Sequence, residues 1–222
     1  MPTIAKVRSA YEGEKRWPMA LTLVVAMALP FLLPSHSNYV PAWFSPSIEA
    51  LLLVAVIVAD PGRIDRRTTV VRVISIGLVV ILVLGATGST ARLIVDLIDG
   101  GPDTNSAAEL LRTGALVWMY TIISFAFLYW VFDSGGPEAR AVAPQEFPDL
   151  SFPQHHDPHL APSHWRPEFF DYLYLGFTNA TAFSPTDVMP LKHWAKLAMA
   201  TQAAVSLGLL GLVIARAVNI LK

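Results

Sequence analysis

Four long segments without a charged residue constrain the fold more than any other feature of this chain. They are Trp17–Ser35, Val73–Ala91, Thr113–Phe132 and Leu197–Ala215. Each is long enough to cross a hydrocarbon core of ~30 Å as an α-helix. The chain is also 54% hydrophobic and only 15% charged, which is too apolar for an ordinary soluble domain. The sequence therefore predicts an all-α integral membrane protein with several transmembrane helices.

A fifth, weaker candidate for a membrane span is Trp43–Ala59. Its strongly apolar part is limited to Ala50–Ala59, and Glu49 lies near its start. We expect it to span, which gives five transmembrane helices, three of them in residues 1–112. Glu49 is then either an intramembrane acid with a function or a carboxylate that reaches the nearby interface. The basic N-terminus before Trp17 resembles that of a signal peptide, but we interpret the first apolar segment as a retained span.

Several classes of function find no support in the composition. The net charge is −1, which does not indicate a nucleic-acid partner, and cysteine is absent. No nucleophilic triad, phosphate-binding glycine loop or zinc-protease motif is present. We expect a multi-pass protein of a bacterial inner membrane that is not an enzyme and needs no cofactor.

The segment Phe169–Pro190 is the strongest functional signal, because it lies between two predicted spans. It has the pattern of a half-helix at 167–181, a polar strand at 182–187 and an exit turn before an inner helix at 192–220. A polar, proline-interrupted backbone at membrane depth is tolerated only where it lines water or is packed inside protein. Together with an outer helix from 113 and an extramembrane loop at 134–166, it predicts a pore-like module over residues 113–222. The proline-rich loop is predicted to lack secondary structure.

The predicted strand offers hydroxyl and carbonyl oxygens, and a carboxylate follows it. Filters of backbone carbonyls and carboxylate rings select cations in this way. Lys192, His193 and Lys196 follow closely, so an anion path also stays open. The candidate ion pathway is Thr181, Ala182, Phe183, Ser184, Pro185 and Thr186, with Asp187 as the charge at the mouth.

The run Thr178–Asp187, followed by Val188-Met189-Pro190, resembles the pore module of potassium channels. That family has threonines, a Gly-Tyr-Gly filter and an aspartate, and the resemblance covers roughly Thr113–Lys222. Ser184-Pro185-Thr186 stands at the Gly-Tyr-Gly positions, so the resemblance implies a pore-loop cation channel with an atypical filter. It also implies a homotetramer in the lipid bilayer, with K⁺ or Na⁺ as the permeating ion. The stretches FTNATAFSPTD and FLYWVFDSGGP are in addition similar to a set of uncharacterised bacterial membrane proteins.

Two further groups of residues are candidates for a function. Gly208 and Gly211, in the last span, are either a gating hinge or a site of close helix packing. A histidine group offers donors for Zn²⁺ or a pH sensor, although a solvated polar loop is the commoner explanation of such a group and its spacing matches no strong metal motif. This group consists of His155, His156, His159 and His164. The alternatives to a channel are accordingly a non-conducting structural or regulatory oligomer and a metal-responsive transporter.

The charge distribution predicts an orientation. Arginines cluster between Arg63 and Arg72, whereas the connection Asp96–Glu109 is acidic. The positive-inside rule puts the arginines in the cytoplasm. With five spans, the mouth of the polar strand is then cytoplasmic, as in glutamate-receptor-type pores and unlike potassium channels. Otherwise the N-terminus is outside, the pore loop is inverted, or one segment does not span.

Overall fold

The protein is an antiparallel assembly of helices in a computed structural model, which describes residues 13–34, 41–59, 63–64, 68–100, 106–142, 147–157, 159–161, 165–181 and 187–221. Five of the helices have 16 residues or more and contain the apolar segments of the sequence, and shorter elements connect them. The helices are α1 (Trp17–Leu32), α2 (Phe44–Ala59), α3 (Thr69–Asp99), α4 (Ala107–Phe132), α5 (Pro137–Val142), α6 (Pro153–His156), α7 (Phe169–Thr181) and α8 (His193–Ile220). Four two-residue strands, β1 (Glu14–Lys15), β2 (Arg63–Ile64), β3 (Leu150–Ser151) and β4 (Met189–Pro190), pair as β1–β2 and β3–β4.

Three helices are long and apolar enough to cross a membrane, namely α3, α4 and α8. They contain the segments Val73–Ala91, Thr113–Phe132 and Leu197–Ala215, so the expectation of an all-α membrane protein is confirmed at this level. Helices α1 and α2 are apolar but have 16 residues each. At 1.5 Å per residue they are ~24 Å long, shorter than a typical hydrocarbon core. Their spanning stays a prediction.

Polar residues fix the ends of the long helices. The side chain of Thr68 accepts a hydrogen bond from the Val71 N–H at the start of α3, and Ser106 does the same for α4. Helix α3 ends at Gly100, which has a φ of 77°, a conformation that glycine adopts without strain. These caps pair backbone groups that the first and last turns of a helix leave without a partner. They therefore stabilise the ends of α3 and the start of α4.

Helix α4 is the centre of the assembly. Two thirds of its apolar window (67%) is buried, compared with 33% for α3 and 28% for α8. Helices α3, α7 and α8 all pack against it. Because α4 is apolar on nearly every side, it forms the core, whereas α3 and α8 present large apolar faces to their surroundings.

One end of the assembly gathers most of the polar contacts. Strand β1 pairs with β2, so the start of α1 and the end of α2 lie there together. Arg72 Nη1 donates to the carbonyl oxygens of Val131 (2.6 Å) and Gly135 (2.7 Å), which brings the start of α3 to the end of α4. Strands β3 and β4 and the start of α8 lie at the same end, where the Leu191 N–H donates to the Asp149 carbonyl oxygen. We call this end, defined by Glu14, Arg72, Asp133 and Asp149, the polar end.

The segment predicted as a loop without secondary structure contains some. Residues 137–142 and 153–156 are short helices, and Leu150–Ser151 is a strand, so that expectation is wrong in part. Proline occupies the first helical position in both α5 and α6, where its missing N–H costs nothing. The prolines therefore start these helices instead of preventing them.

Candidate functional site

Helix α7 lies between α4 and α8 and reaches only part of the way along them. Its first residue, Phe169, packs on Phe127 with ring centroids 4.7 Å apart, close to the polar end. Near its last turn the Phe177 ring lies 6.1 Å from that of Trp118, in the middle of α4. A helix of 13 residues is ~20 Å long, which agrees with this partial depth.

The start of α7 is held by buried acidic residues of the polar end. Glu14 Oε1 accepts a hydrogen bond from the Phe169 N–H, and Glu14 Oε2 accepts one from Trp130 Nε1 at 3.0 Å. Tyr172 donates its hydroxyl proton to Asp133 Oδ2 at 2.5 Å. A carboxylate at a helix start pairs with backbone N–H groups and with the positive end of the dipole. The sequence therefore fixes where α7 begins through residues far from it in the chain.

Asp133 is completely buried and organises the polar end around it. Its Oδ1 accepts hydrogen bonds from the Ser134 hydroxyl and from the N–H groups of Asp149 and Leu150, at 3.0 to 3.1 Å. With Tyr172 this makes four bonds, which satisfy both oxygens of the carboxyl group. Asp133 therefore acts as a structural centre that joins α4, β3 and α7.

Arginines cover the carbonyl groups at the end of α4. Arg140 Nη1 donates to the carbonyl oxygens of Trp130 (2.9 Å) and Asp133 (2.8 Å), and its guanidinium lies 4.9 Å from the Tyr172 ring centroid. Gly135 and Gly136, with φ of 83° and 97°, let the chain turn sharply beneath it. Cations at a helix C-terminus complement the dipole and the unpaired carbonyls. The FDSGGPEAR stretch is thus a helix-ending motif.

The far end of α7 is fixed by a hydrogen-bonded group inside the bundle. Asn179 Nδ2 donates to Gln202 Oε1 at 2.8 Å and to the Met199 carbonyl oxygen at 3.0 Å. The Tyr129 hydroxyl donates to the same Gln202 oxygen at 2.7 Å, and Gln202 Nε2 donates to the Gly176 carbonyl oxygen at 2.8 Å. We call Tyr129, Asn179 and Gln202 the amide cluster. It ties α4, α7 and α8 together at one point.

Gly176 allows α7 to approach α4 closely. A Cβ atom at this position would lie 3.0 Å from the Ile122 carbonyl oxygen and 3.4 Å from the Ala126 Cβ atom. The first contact is tighter than usual and involves a backbone oxygen, so a side chain here would require a small displacement of α4. The glycine therefore sets the spacing at which the amide cluster forms.

Two of the seven predicted pathway residues fall among the described residues. Thr181 ends α7, is exposed, and donates its hydroxyl proton to the Phe177 carbonyl oxygen at 3.0 Å. Asp187 is exposed as well, and β4 begins two residues later at the polar end. The chain therefore leaves the polar end in α7 and is back at it by Met189. The candidate residues Ala182, Phe183, Ser184, Pro185 and Thr186 lie outside the described residues.

The two candidate hinge glycines lie on a continuous helix. Helix α8 runs from His193 to Ile220, and a Cβ atom at Gly208 or Gly211 would meet no other group within 4 Å. Both belong to an exposed face made of small residues. That face comprises Ala200, Ala204, Gly208, Gly211 and Ala215.

The histidines described by the structure are engaged in local contacts. His155 Nδ1 accepts a hydrogen bond from the Phe152 N–H at 3.1 Å, and burial lowers the pKa of its imidazole. His156 Nε2 lies 2.8 Å from the Ser151 hydroxyl, and His159 is exposed. His164 lies outside the described residues. Within the described part of the chain, no three potential ligands are grouped so as to hold a metal ion.

The burial of Glu49 excludes one of the two interpretations drawn from the sequence. Its side chain is 0% exposed, so the alternative in which the carboxylate reaches the interface is wrong. Glu49 Oε1 instead accepts a hydrogen bond from the Tyr120 hydroxyl at 3.3 Å. The proximity of the two residues depends on how α2 packs beside α4, which the sequence around Glu49 does not reveal.

Sequence reasoning missed the amide cluster and the acids of the polar end. A usable signal existed for the cluster, because Tyr129 and Gln202 are polar residues inside otherwise apolar spans. For Glu14 no such signal was present, since its partners Trp130 and Phe169 are more than a hundred residues away. Contacts of this range follow from the tertiary fold alone.

Comparison with family models, with curated proteins and with solved structures gives no match to this chain.

Replacing Gln202 by leucine is expected to lower the free energy of unfolding by about 1–3 kcal/mol, because the buried hydroxyl of Tyr129 and the amide of Asn179 lose an acceptor. The measurement is a denaturant titration of the purified protein in detergent. Thr201→Leu is the matched control, since Thr201 is the exposed neighbour on the same helix. Equal stability of the Gln202→Leu and Thr201→Leu proteins would contradict the role given to the amide cluster.

Glu14 is expected to make stability depend on pH. Burial raises the pKa of Glu14 from 4.5 to about 7, against the opposing effects of the Trp130 hydrogen bond and Arg140. The folded state therefore binds the proton more tightly than the unfolded state, and the free energy of unfolding falls as pH rises from about 5 to 8, by roughly 3 kcal/mol at most. Unfolding measured at pH 5 and pH 8 should show a smaller difference in Glu14→Gln than in wild type. The exposed Glu109→Gln serves as control, and an unchanged difference in Glu14→Gln would refute this assignment.

Proposed function

We propose that the chain is the subunit of a homo-oligomeric ion channel, with a preference for cations, in which the segment after α7 lines the ion path. The observation that carries this proposal is the position of α7. It is a partial-depth helix held at both ends by buried hydrogen bonds, and its last residue, Thr181, is exposed on the outside of the subunit. A re-entrant helix of this kind places a polar segment at membrane depth, where it needs water or protein around it.

The direction of α7 supports a cation path. Its C-terminus lies away from the polar end, and its last carbonyl groups carry the negative end of the helix dipole. Asp187 adds a carboxylate where the chain returns to the polar end, and several copies would form an acidic ring there. K⁺ and Na⁺ are the proposed permeating ions.

The exposed faces support association of several copies. The small-residue face of α8 permits close approach of another helix. Phe170, Tyr174 and Phe177 form an exposed aromatic face on α7, with 69%, 60% and 46% of their surfaces accessible. Because one half-helix cannot enclose a conduit, we propose a homotetramer in which these faces meet around a common axis.

The location of the polar end supports a cytoplasmic mouth. Strand β2 and Arg72 lie at the same end as the start of α7 and the end of α8 nearest Asp187. The arginine-rich stretch from Arg63 to Arg72 favours the cytoplasm by the positive-inside rule. We therefore propose that the mouth opens to the cytoplasm of a bacterial inner membrane, whether or not α1 and α2 cross it completely.

The second candidate is a non-conducting structural oligomer, and one observation favours it. The side chains of the amide cluster bond to one another and to the carbonyl oxygens of Met199 and Gly176, and Asn179 and Gln202 are buried, so this part of α7 is packed in protein. A dry loop between α7 and α8 would then serve only to join subunits.

Ion flux into liposomes distinguishes the two candidates. Purified protein reconstituted with K⁺, Na⁺ or Cl⁻ gradients should conduct cations in preference to Cl⁻. Asp187→Asn should lower the cation preference by about tenfold, which corresponds to a loss of roughly 1.4 kcal/mol of attraction at the mouth. Thr186→Val should lower the rate.

The matched control is Asp99→Asn, which removes an exposed carboxylate at the opposite end of the molecule. Flux that responds equally to Asp99→Asn and Asp187→Asn would place the path elsewhere. No flux from a verified oligomer, together with lower stability in the Asp187 and Thr186 variants, would favour the structural candidate.

A further inference from the structure

Glu49 is a buried acid that the proposed ion path does not use. It belongs to α2, away from α7, and its side chain is fully buried. One carboxyl oxygen, Oε1, is bonded to the Tyr120 hydroxyl, whereas Oε2 has no hydrogen-bond partner among the described residues. A carboxyl group that only held α2 to α4 would be expected to use both oxygens.

A cavity of about 320 Å³ lies beside Tyr120. It is lined by residues of α1, α2, α3 and α4, and by the turn before α2. Most of its surface is apolar, but the hydroxyl groups of Ser45, Ser89 and Tyr120 contribute to it. Its volume is many times that of a water molecule, so it accommodates water or a small ligand. Tyr120 therefore contacts the cavity and the carboxyl group at once.

Gly85 on α3 leaves room for the Tyr120 side chain. A Cβ atom at residue 85 would overlap the Tyr120 hydroxyl oxygen. Glycine is unfavourable inside a helix, by about 0.5–1 kcal/mol relative to alanine. Gly85 lies near the middle of α3 and Tyr120 near the middle of α4. The absence of a side chain at residue 85 leaves room for the Tyr120 hydroxyl, which donates its hydrogen bond to Glu49 there.

Among the described residues, no cation is paired with the carboxyl group of Glu49. The residues that line the cavity are all uncharged, and Tyr120 is the described titratable group that contacts Glu49. Burying a carboxylate without a cation is very costly, and such a group binds a proton instead. The protonated carboxyl group can donate one hydrogen bond, and the phenol hydroxyl can both donate and accept one.

We propose that Glu49 is a proton-binding site inside the bundle and that Tyr120 connects it to the cavity lined by Ser45 and Ser89. The proton on Glu49 reaches the cavity through the Tyr120 hydroxyl, which accepts one proton as it passes on another. This gives the N-terminal half of the chain a binding site of its own, separate from the segment that follows α7.

Carbodiimide labelling tests this site directly. The hydrophobic reagent dicyclohexylcarbodiimide reacts with a protonated carboxyl group: the acid oxygen adds to the central carbon, the acid proton goes to a nitrogen, and acyl transfer gives a stable N-acylurea. Wild-type protein in liposomes is treated at pH 6, digested and analysed by mass spectrometry. We expect the label on Glu49, because an acid without a cation keeps its proton at a pH at which exposed carboxyl groups are ionised.

Asp96 is the matched control carboxyl. It is also buried, but its carboxylate is paired with Arg92 at 3.3 Å, so it should stay unlabelled. Gly88→Leu, which puts a large side chain on the cavity wall, should slow labelling of Glu49 severalfold. Labelling of Asp96 as fast as Glu49, or an unlabelled Glu49 at pH 6, would overturn the proposal.

An infrared measurement gives a second readout that does not depend on reagent access. Wild-type protein at pH 7 should show the carbonyl stretching band of a protonated carboxylic acid, and Glu49→Gln should lose it. Glu14→Gln is measured alongside, because burial raises the pKa of Glu14 to about 7 and its proton also contributes to the band. A band of equal size in wild type and Glu49→Gln would show that Glu49 carries no proton.

Discussion

The hydrogen bonds between Tyr129, Asn179 and Gln202 are the interaction on which the C-terminal half of this protein depends. They join α4, α7 and α8, and Gly176 permits the close approach of α7 to α4 beside them. In an apolar environment helices gain little from the hydrophobic effect on meeting each other, so polar groups and close packing decide which faces associate. The partial-depth position of α7 follows from this cluster at one end and from Glu14 and Asp133 at the other.

The polar end has a complementary role. The acids Glu14 and Asp133 hold the start of α7, whereas Arg72 and Arg140 cover the carbonyl groups that end α4. Negative charge at a helix start and positive charge at a helix end are both favourable. Glu14, Arg72 and the pair Asp133 and Arg140 come from three separate parts of the chain, so the polar end depends on the tertiary fold. This arrangement also places β2, Arg72 and the return of the chain at β4 at one end of the helix assembly.

The positions of the long helices could be predicted from the sequence, whereas the tertiary contacts between them could not. The absence of charge located α3, α4 and α8, and the amphipathic pattern located a helix ending at Thr181, because both signals are local. Glu49 was ambiguous, since its burial depends on Tyr120, 71 residues away. The proline content of residues 137–156 was misleading, because proline at a first helical position favours a helix start. The predicted filter residues 182–186 lie outside the described residues, so their role stays a prediction.

The most direct test of the account is the reactivity of a single cysteine at Thr181, which is practical because the chain has no native cysteine. An impermeant thiol reagent is added from each side of sealed vesicles. The account predicts rapid modification of Thr181→Cys from the side of the polar end, and none of the fully buried Leu175→Cys. Modification of Thr181→Cys no faster than that of Leu212→Cys, an exposed apolar position on α8, would contradict a water-filled path at the end of α7.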